Sequence, residues 1–456
     1  MHINLIVLSV FALGMIGIGW LSSRRVRNAE DFFVAGRSLS TPLVAFSLFA
    51  TWFGAETCLG VSGAVYSEGL SGARADPLGY SLCLVLLGLV LARRLVERRL
   101  LTLGDLYRQA YGASVEKMLV LVLVPSGLLW GAAQIKAMGQ VLSHLVGLEP
   151  APATIVAASV TVGYTLFGGL WGDVLTDFAQ GLLLIVGLVT LGCFVGMSEP
   201  LLEMWSRVPA ERFDPIGHES WFEQLDRWTV PILGSLVTQE ALARILGARS
   251  PQVARRGAFW AAGLYLCFGS IPVLLGLFGP ELSPGLQDTE RLLPELSRHY
   301  LPPVLSAVFN SALLAAMLST VDSVLLSTSA LCSRNLLSSV FPTESAARQL
   351  FAGRILLVLA GGVCLYFALG PHNVYGLVEE ASAFGTAGVA VTTVTALFHK
   401  RPSGIGAAGA LVAGVVAPPA LTAFGAAVTF VPALVASFAV YFAAVASRRL
   451  TERPSM

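Results

Sequence analysis

Apolar segments long enough to cross a lipid bilayer follow one another along almost the whole chain. A bilayer has a hydrocarbon core about 30 Å thick, so a spanning helix needs about 20 largely apolar residues. Only 12% of the residues are charged and 55% are hydrophobic, whereas about a quarter of a soluble domain is charged. Because backbone polar groups in lipid must be paired within the chain, we predict an all-α integral membrane protein. Thirteen spans are predicted, at about 3–21, 41–66, 76–98, 117–147, 152–171, 174–198, 228–247, 255–280, 302–337, 350–370, 373–398, 404–424 and 427–447.

Lysine and arginine are distributed unevenly between the loops on the two sides of these spans. Arg24, Arg25 and Arg27 follow the first span, and no Lys or Arg precedes it. Cytoplasmic loops carry an excess of basic residues, and placing this loop inside also places most of the 29 Lys and Arg inside. We therefore predict an N-terminus outside, a C-terminus inside and a first span that is not a cleaved signal peptide. The expected location is the plasma membrane, or the inner membrane of a bacterium, with multiple passes through the bilayer.

Several classes of function find no support in the residue patterns. The six cysteines are scattered singly through apolar segments, without the spacing of a metal site or a disulfide framework. Neither a phosphate-binding loop, nor a Ser/His/Asp arrangement, nor a basic patch for nucleic acid is present. The chain is therefore not expected to be an enzyme or to bind nucleic acid, and no obligatory protein partner is evident.

The predicted ninth span contains a polar stretch, residues 310–329, with seven hydroxyls and one carboxylate. At 100° per residue, its small and hydroxyl-bearing residues fall within one stripe about 100° wide. These residues are Ala312, Ala316, Ser319, Thr320, Ser323 and Ser327, with Asp322 on the flank. Such a stripe lets another backbone approach closely, and its oxygens also suit a hard cation. The residues alone allow both a helix-packing seam and a cation site.

Two predicted spans carry features that favour an interrupted helix. The segment 50–57 in the second span contains Gly54 and the carboxylate of Glu56, which is costly at that depth without a cation, a hydrogen-bond partner, water or a proton. The segment 233–240 in the seventh span is similarly polar. Interrupted helices at corresponding places in two halves are typical of transporters built from inverted repeats, which bind their solute near the midplane.

Short motifs in a consistent order extend this pattern over roughly residues 30–400. They are Gly36-Arg37-Ser38-Leu39, Gly60-x-x-Gly63-Ala64-x-Tyr66, Gly168-Gly169-Leu170-Trp171, Thr176-Asp177-x-x-Gln180, Gln239 with Arg244, and the run from Ala315 to Ser323. Their order and spacing resemble those of the sodium:solute symporter family, which includes the sodium/proline and sodium/glucose cotransporters.

The resemblance implies a LeuT-like fold with an inverted repeat of two five-helix units. The first repeat would cover about 41–198 and the second about 228–398. The peripheral helices would be 3–21, 404–424 and 427–447, and the whole chain, 1–456, would form a single transmembrane transporter domain.

The resemblance also implies a sodium site. Its ligands would be the backbone carbonyls of Ala50, Phe53 and Ala316 and the hydroxyls of Ser319 and Thr320. Asp177 would lie close by and stabilise the ion or relay its release. Na⁺ would be the co-transported ion, and a cage of mostly neutral oxygens suits a hard ion of modest charge. Asp173, on the same helical face as Asp177, is expected to complement the N-terminus of a cytoplasmic helix end.

Other polar residues within the predicted spans are candidates for solute binding or coupling. Lys136 is expected to pair with Glu56 or Asp322, since opposite buried charges partly cancel each other's desolvation cost; solute binding and snorkelling are the alternatives. Asp322 is expected to stay charged beside the sodium cage, where it could form a second cation position with Ser323. Proton uptake by Asp322 and simple helix packing are the other possibilities.

Three further positions bear on the solute. Glu379 and Glu380 occupy the region where sugar-transporting relatives place a polar contact, although an external helix end would explain them equally well. Thr57 stands where the sugar carriers have an amide, so a sugar is disfavoured.

The predicted function is sodium-coupled symport of a small organic solute by alternating access. Proton-coupled symport and a transporter-like sensor acting with a separate signalling partner are the alternatives. The sequence does not identify the solute.

Overall fold

The computed structural model describes residues 2–217, 219–337, 346–371, 374, 377, 381 and 384–451. Within these residues the regular structure is helical, apart from one isolated bridge between Leu39 and Ala248. The predicted all-α class is therefore confirmed.

The helices of the first half are α1 (His2–Ser23), α2 (Ala29–Val34), α3 (Thr41–Trp52), α4 (Val61–Glu68), α5 (Tyr80–Leu86), α6 (Ala92–Glu97), α7 (Leu103–Tyr111), α8 (Ala113–Val146), α9 (Pro150–Ser198) and α10 (Leu201–Arg207). Those of the second half are α11 (Trp221–Thr229), α12 (Gln239–Leu246), α13 (Pro251–Leu282), α14 (Leu292–Tyr300), α15 (Pro303–Leu331), α16 (Ala346–Ala368), α17 (Thr386–Phe398), α18 (Gly404–Ala423) and α19 (Phe430–Thr451).

Nine helices in the described part of the chain are long and apolar enough to cross a membrane. This number differs from the thirteen predicted spans partly because α9, at 49 residues, joins two of them. Within α9, Gly169 leaves the helical conformation with φ +53°, and a Cβ there would lie 2.6 Å from the ring of Phe32. A glycine is thus required at this break.

The interruptions expected in the second and seventh spans are present. Helix α3 ends at Trp52, Phe53 is not helical (ψ 61°), and helical structure resumes in a π-helical turn over Glu56–Gly60. The seventh span passes through a π-helical turn (Val230–Gly234) and a 3₁₀ turn (Ser235–Val237) before α12 begins. Such irregular backbone is tolerated at membrane depth where it is enclosed by protein or lines a cavity.

Helix α15 lies at the centre of the molecule. All its residues from Phe309 to Leu331 are buried, and it packs against α8, α9 and α3. Its alanines and serines leave room for these neighbours to approach closely. The polar stretch predicted from the sequence is therefore enclosed by protein on all sides.

Candidate functional site

The hydroxyl stripe of α15 faces the interrupted end of α3. The Thr320 hydroxyl donates a hydrogen bond to the Thr51 carbonyl (2.9 Å) and lies 3.3 Å from the Ala316 carbonyl. A Cβ on Gly54 would approach the Thr320 oxygen to 2.8 Å, so glycine is needed for this close contact. Both segments of the predicted sodium cage are thus adjacent, and all five of its predicted ligand residues are buried: Ala50, Phe53, Ala316, Ser319 and Thr320.

Asp177 on α9 contacts the same stripe. Its carboxylate accepts hydrogen bonds from Ser319 (2.5 Å) and from Ser47 of α3. Asp177 therefore links the two helices that carry the predicted ligands.

A buried arginine, Arg244 of α12, completes this region. Its guanidinium contacts Asp173 (2.5 Å) and Asp177 (3.2 Å), and it donates to the hydroxyls of Ser47 (3.0 Å) and Ser323. Asp173 is 3% exposed, so the expectation that it only complements a helix end was wrong. Arg244 instead gives it a buried charge partner.

Asp322 lies beside this ion pair. The hydroxyl of Tyr164 donates to one of its oxygens (2.5 Å), and its other oxygen has no hydrogen-bond partner among the described residues. Ligand atoms of Asp173, Asp177 and Asp322 lie within 4.8 Å of one another. Three carboxylates against one guanidinium favour a further positive charge, because uncompensated buried charge is costly. We call these four residues, Arg244, Asp173, Asp177 and Asp322, the buried charge cluster.

A cavity lies between the two interrupted segments. Its lining includes the rings of Trp52, Tyr80 and Trp130, and also Thr238 and Glu240. Ser126, Ser235, Gln239, Thr328 and Thr386 add polar groups, and none of the described lining residues is Lys, Arg or His. The described lining of the cavity is therefore aromatic, with the carboxyl of Glu240 as its one acidic group.

Glu56 supports the aromatic side of this cavity. One of its carboxylate oxygens accepts from the indole N–H of Trp130 (3.0 Å), and the other accepts from the hydroxyl of Tyr80 (2.8 Å). The carboxylate that the sequence placed in mid-membrane is thus satisfied by hydrogen bonds, and it fixes the positions of two rings.

Lys136 has different partners from those predicted. Its ammonium donates to the carbonyls of Ala368 (3.1 Å) and Gly370 (2.7 Å), at the C-terminal end of α16. In the described residues it makes no ion pair with Glu56 or Asp322. A cation is favourable there because the last carbonyls of a helix lack intrahelical partners and carry partial negative charge. Glu379 and Glu380 lie outside the described residues.

Lys136→Met is expected to lower the stability of the protein by about 1–3 kcal/mol, because two carbonyls lose a charged donor. The affinity for solute should stay unchanged. Thermal unfolding and uptake kinetics would check this, with Lys117→Met, an exposed lysine of the same helix, as the matched control. A large loss of solute affinity at unchanged stability would instead make Lys136 a solute ligand.

Thr57 and Asp76 are also drawn together by the fold. Asp76 is 2% exposed, and its carboxylate accepts from Thr57 and from Tyr265 of α13. Neither Asp76 nor Tyr265 belongs to a motif that predicted a site residue. The only available signal was a carboxylate at the start of a predicted span.

Comparisons with known proteins agree with this architecture. The family model of the sodium:solute symporter family matches residues 32–416. The chain is 28% identical to the high-affinity choline transporter 1 of Torpedo marmorata, over 82% of this chain and 69% of that protein. It is 27% identical to the human high affinity choline transporter 1, over 90% of this chain and 75% of that protein. The high-affinity proline transporter PutP of Bacillus subtilis is 27% identical, over 88% of each chain.

Solved structures show the same fold. A Na⁺-coupled sialic acid symporter superposes with a TM-score of 0.84 at 18% identity, covering 96% of this chain and 95% of that one. Mhp1, a nucleobase-cation-symport-1 family transporter, gives a TM-score of 0.63 at 14% identity, covering 92% and 95%.

The fold, with two interrupted helices that meet at a central cavity, is that of a LeuT-like secondary transporter. The chain belongs to the sodium:solute symporter family. It is a membrane symporter that couples the transport of a small solute to Na⁺.

Proposed function

We propose that the solute of this symporter is a small organic cation. The observation that carries the proposal is the cavity of three aromatic rings and a carboxylate, without a basic side chain among its described lining residues. A cation over the face of an aromatic ring gains about 0.5–2 kcal/mol, and quaternary ammonium groups are often bound by several rings. The names of the choline transporters among the relatives support this reading.

Two carboxylates strengthen the preference of the cavity for a cationic solute. Glu240 lines the cavity, and Glu56 lies directly behind the rings of Tyr80 and Trp130. Both contribute negative potential in a region of low dielectric, where charge interactions are strong. An anionic solute would have to overcome this potential, whereas a cation is attracted by it. The carboxyl of Glu240 also feels the charge of Arg244, but no Lys, Arg or His lies among the described residues that line the cavity, so a solute cation would be the positive charge within the cavity itself.

The test is uptake by proteoliposomes that contain the purified protein and a sodium gradient. Radiolabelled choline should be taken up, and unlabelled choline should compete with this uptake. The neutral isostere of choline, with carbon in place of the ammonium nitrogen, should compete far less. Proline serves as the zwitterionic comparison, since a proline transporter is also among the relatives. Equal competition by choline and the neutral isostere would contradict a cation-selective cavity.

Glu240→Gln is expected to weaken the binding of a cationic solute by about tenfold to a hundredfold, because a charge-assisted hydrogen bond is worth about 1.5–3 kcal/mol and 1.4 kcal/mol corresponds to a factor of ten. The half-saturating solute concentration in the uptake assay measures this. Glu149→Gln, an exposed carboxylate at a helix start, is the matched control and should leave that concentration unchanged. If Glu240→Gln matches its control, the carboxylate does not contact the solute.

The principal sodium ion is proposed to bind between α3 and α15. The carbonyls of Ala50, Phe53 and Ala316 and the hydroxyls of Ser319 and Thr320 would be its ligands. Support comes from the direct contact between these segments, with Thr320 bonded to the Thr51 carbonyl at 2.9 Å. The ion would replace this hydrogen bond and hold the two helices together.

Asp322 and Ser323 would act through the buried charge cluster rather than at the principal ion. Ser323 contacts Asp173 (3.2 Å) and Arg244, and Asp322 is bonded by Tyr164. Asp177 joins this cluster to the cage through Ser319. Movement of α15 away from α3 would therefore disturb the sodium cage and the buried charge cluster together.

This arrangement suggests how sodium and solute are coupled by alternating access. Trp52, at the end of α3, lines the solute cavity, while Ala50 and Phe53 on either side of it would bind sodium. Sodium that orders the segment 50–57 would thereby position the aromatic wall, and loss of sodium would loosen it. A ligand shifts a conformational equilibrium only through its different affinity for the two states. Here the cage, complete when α3 and α15 are in contact, would provide that difference.

The topology is also a proposal. Thirteen spans with the N-terminus outside and the C-terminus inside would place the repeats at 41–198 and 228–398, with the remaining spans peripheral. Cysteines introduced singly at Arg24 and Glu149 should be labelled by an impermeant thiol reagent from the inside and the outside, respectively. Labelling of both from the same side would exclude this topology.

A further inference from the structure

A second group of oxygen atoms lies on the interrupted segment, separate from the principal sodium cage. It consists of the Trp52 carbonyl, the hydroxyls of Thr57 and Tyr265, and the carboxylate of Asp76. The Tyr265 hydroxyl lies 2.6 Å from that of Thr57, 3.0 Å from the Asp76 carboxylate and 3.1 Å from the Trp52 carbonyl. Thr57 also contacts Asp76 directly and lies 3.5 Å from the Trp52 carbonyl.

The hydroxyl hydrogens of this group are fewer than its oxygen–oxygen contacts, so some of these contacts cannot be hydrogen bonds. With the Asp76 carboxylate ionised, only the two hydroxyls carry a hydrogen, yet five oxygen–oxygen pairs at 3.5 Å or less join the four groups. The second oxygen of Asp76 is buried and has no hydrogen-bond partner in the described part of the chain. A buried carboxylate oxygen without a partner is costly. The group is therefore rich in acceptors and favours an added positive charge.

No basic side chain supplies that charge among the described residues. Arg74, two residues before Asp76, is bonded to Glu219 through both terminal nitrogens (2.8 and 3.0 Å). The charged side chain that acts on Asp76 is Glu56, which has the same sign. Asp76 is 2% exposed, so bulk water does not stabilise its charge.

The surrounding packing holds Asp76 in place. A Cβ on Gly269 of α13 would lie 2.7 Å from Pro77, and a Cβ on Gly79 would lie 2.7 Å from Pro231. Gly269 lets the turn that carries Asp76 fit tightly against α13, the helix that also carries Tyr265, and Gly79 lets the same turn fit against the segment Val230–Gly234. The four oxygens thus come from three segments that are rigidly packed together.

We propose that the Trp52 carbonyl, Thr57, Asp76 and Tyr265 bind a second sodium ion. Hard oxygens from a carbonyl, hydroxyls and a carboxylate suit a hard cation, and a single carboxylate matches a single positive charge. The site does not depend on the identity of the solute. It shares Trp52 with the solute cavity, so its occupancy would help to orient the aromatic wall.

The test counts sodium ions bound to the purified full-length protein, with radiolabelled sodium at equilibrium and no solute added. We expect two ions per wild-type chain. Asp76→Asn should bind one, since the amide keeps the shape and removes the charge. At a sodium concentration that just fills the wild-type sites, Thr320→Ala should also bind one ion fewer, because its principal site is weakened severalfold to a hundredfold, and the double variant should bind almost none.

Tyr265→Phe provides a second variant that retains the carboxylate. Tyr265→Phe should keep both sodium sites, but its affinity for sodium at the second site should fall severalfold. Each variant must elute as a single species, and the remaining ion in Asp76→Asn shows that the protein is folded. One ion per wild-type chain, with Asp76→Asn and Tyr265→Phe unchanged, would overturn the proposal. Proton uptake at Asp76 in place of a second sodium ion would overturn it as well.

Discussion

Replacing Thr320 by alanine is expected to raise the sodium concentration needed for half-maximal uptake by severalfold to a hundredfold. The hydroxyl contacts both α3, through the Thr51 carbonyl, and its own helix, through the Ala316 carbonyl. Losing one good oxygen ligand costs on the order of 1–3 kcal/mol, and 1.4 kcal/mol corresponds to a factor of ten. Ser319→Ala should have a similar effect, with an added loss because Asp177 forfeits a donor.

Sodium activation curves measured at saturating solute check this expectation. Ser311→Ala is the matched control, since within the described part of the chain its buried hydroxyl bonds only inside α15, to the Ala307 carbonyl (2.8 Å). The control should leave the curve in place. Unshifted curves for both Ser319→Ala and Thr320→Ala would remove these residues from the ion site.

Arg244→Met is expected to abolish transport and to lower the yield of folded protein sharply. The substitution leaves Asp173 and Asp177 buried without their guanidinium partner. Breaking a buried ion pair by removing one partner typically costs about 3–5 kcal/mol, because a desolvated charge remains. This is a large fraction of the usual stability of a folded domain.

A double variant separates this explanation from a general loss of packing. Arg244→Met combined with Asp173→Asn removes charges of both signs, so its yield and thermal stability should recover relative to Arg244→Met alone. Arg256→Met, an exposed arginine at the start of α13, is the control and should resemble the wild type. Strictly additive losses in the double variant would contradict the ion-pair interpretation.

Much of the architecture was readable from local patterns. The lengths of the apolar segments predicted helices, and glycine with polar residues in 50–57 and 233–240 predicted the two interruptions that the structure contains. The spacing of small and hydroxyl residues predicted the stripe on α15 that meets α3. These features depend on neighbours within a few turns, and hydrophobicity and helical periodicity describe such neighbours well.

The partners of the buried charges could not be read in the same way. Lys136 was expected to meet a carboxylate and instead caps α16. Arg244 reaches Asp177, 67 positions away, and Asp76 meets Tyr265, 189 positions away. Periodicity indicates which residues share a face of one helix, but not which distant helix that face will meet. Those contacts are selected when the whole bundle packs, because each buried charge must find a partner among the side chains that packing brings within reach. Local patterns along the chain therefore sufficed for the helices, their interruptions and the family, whereas the pairing of the buried charges depends on which distant helices pack together.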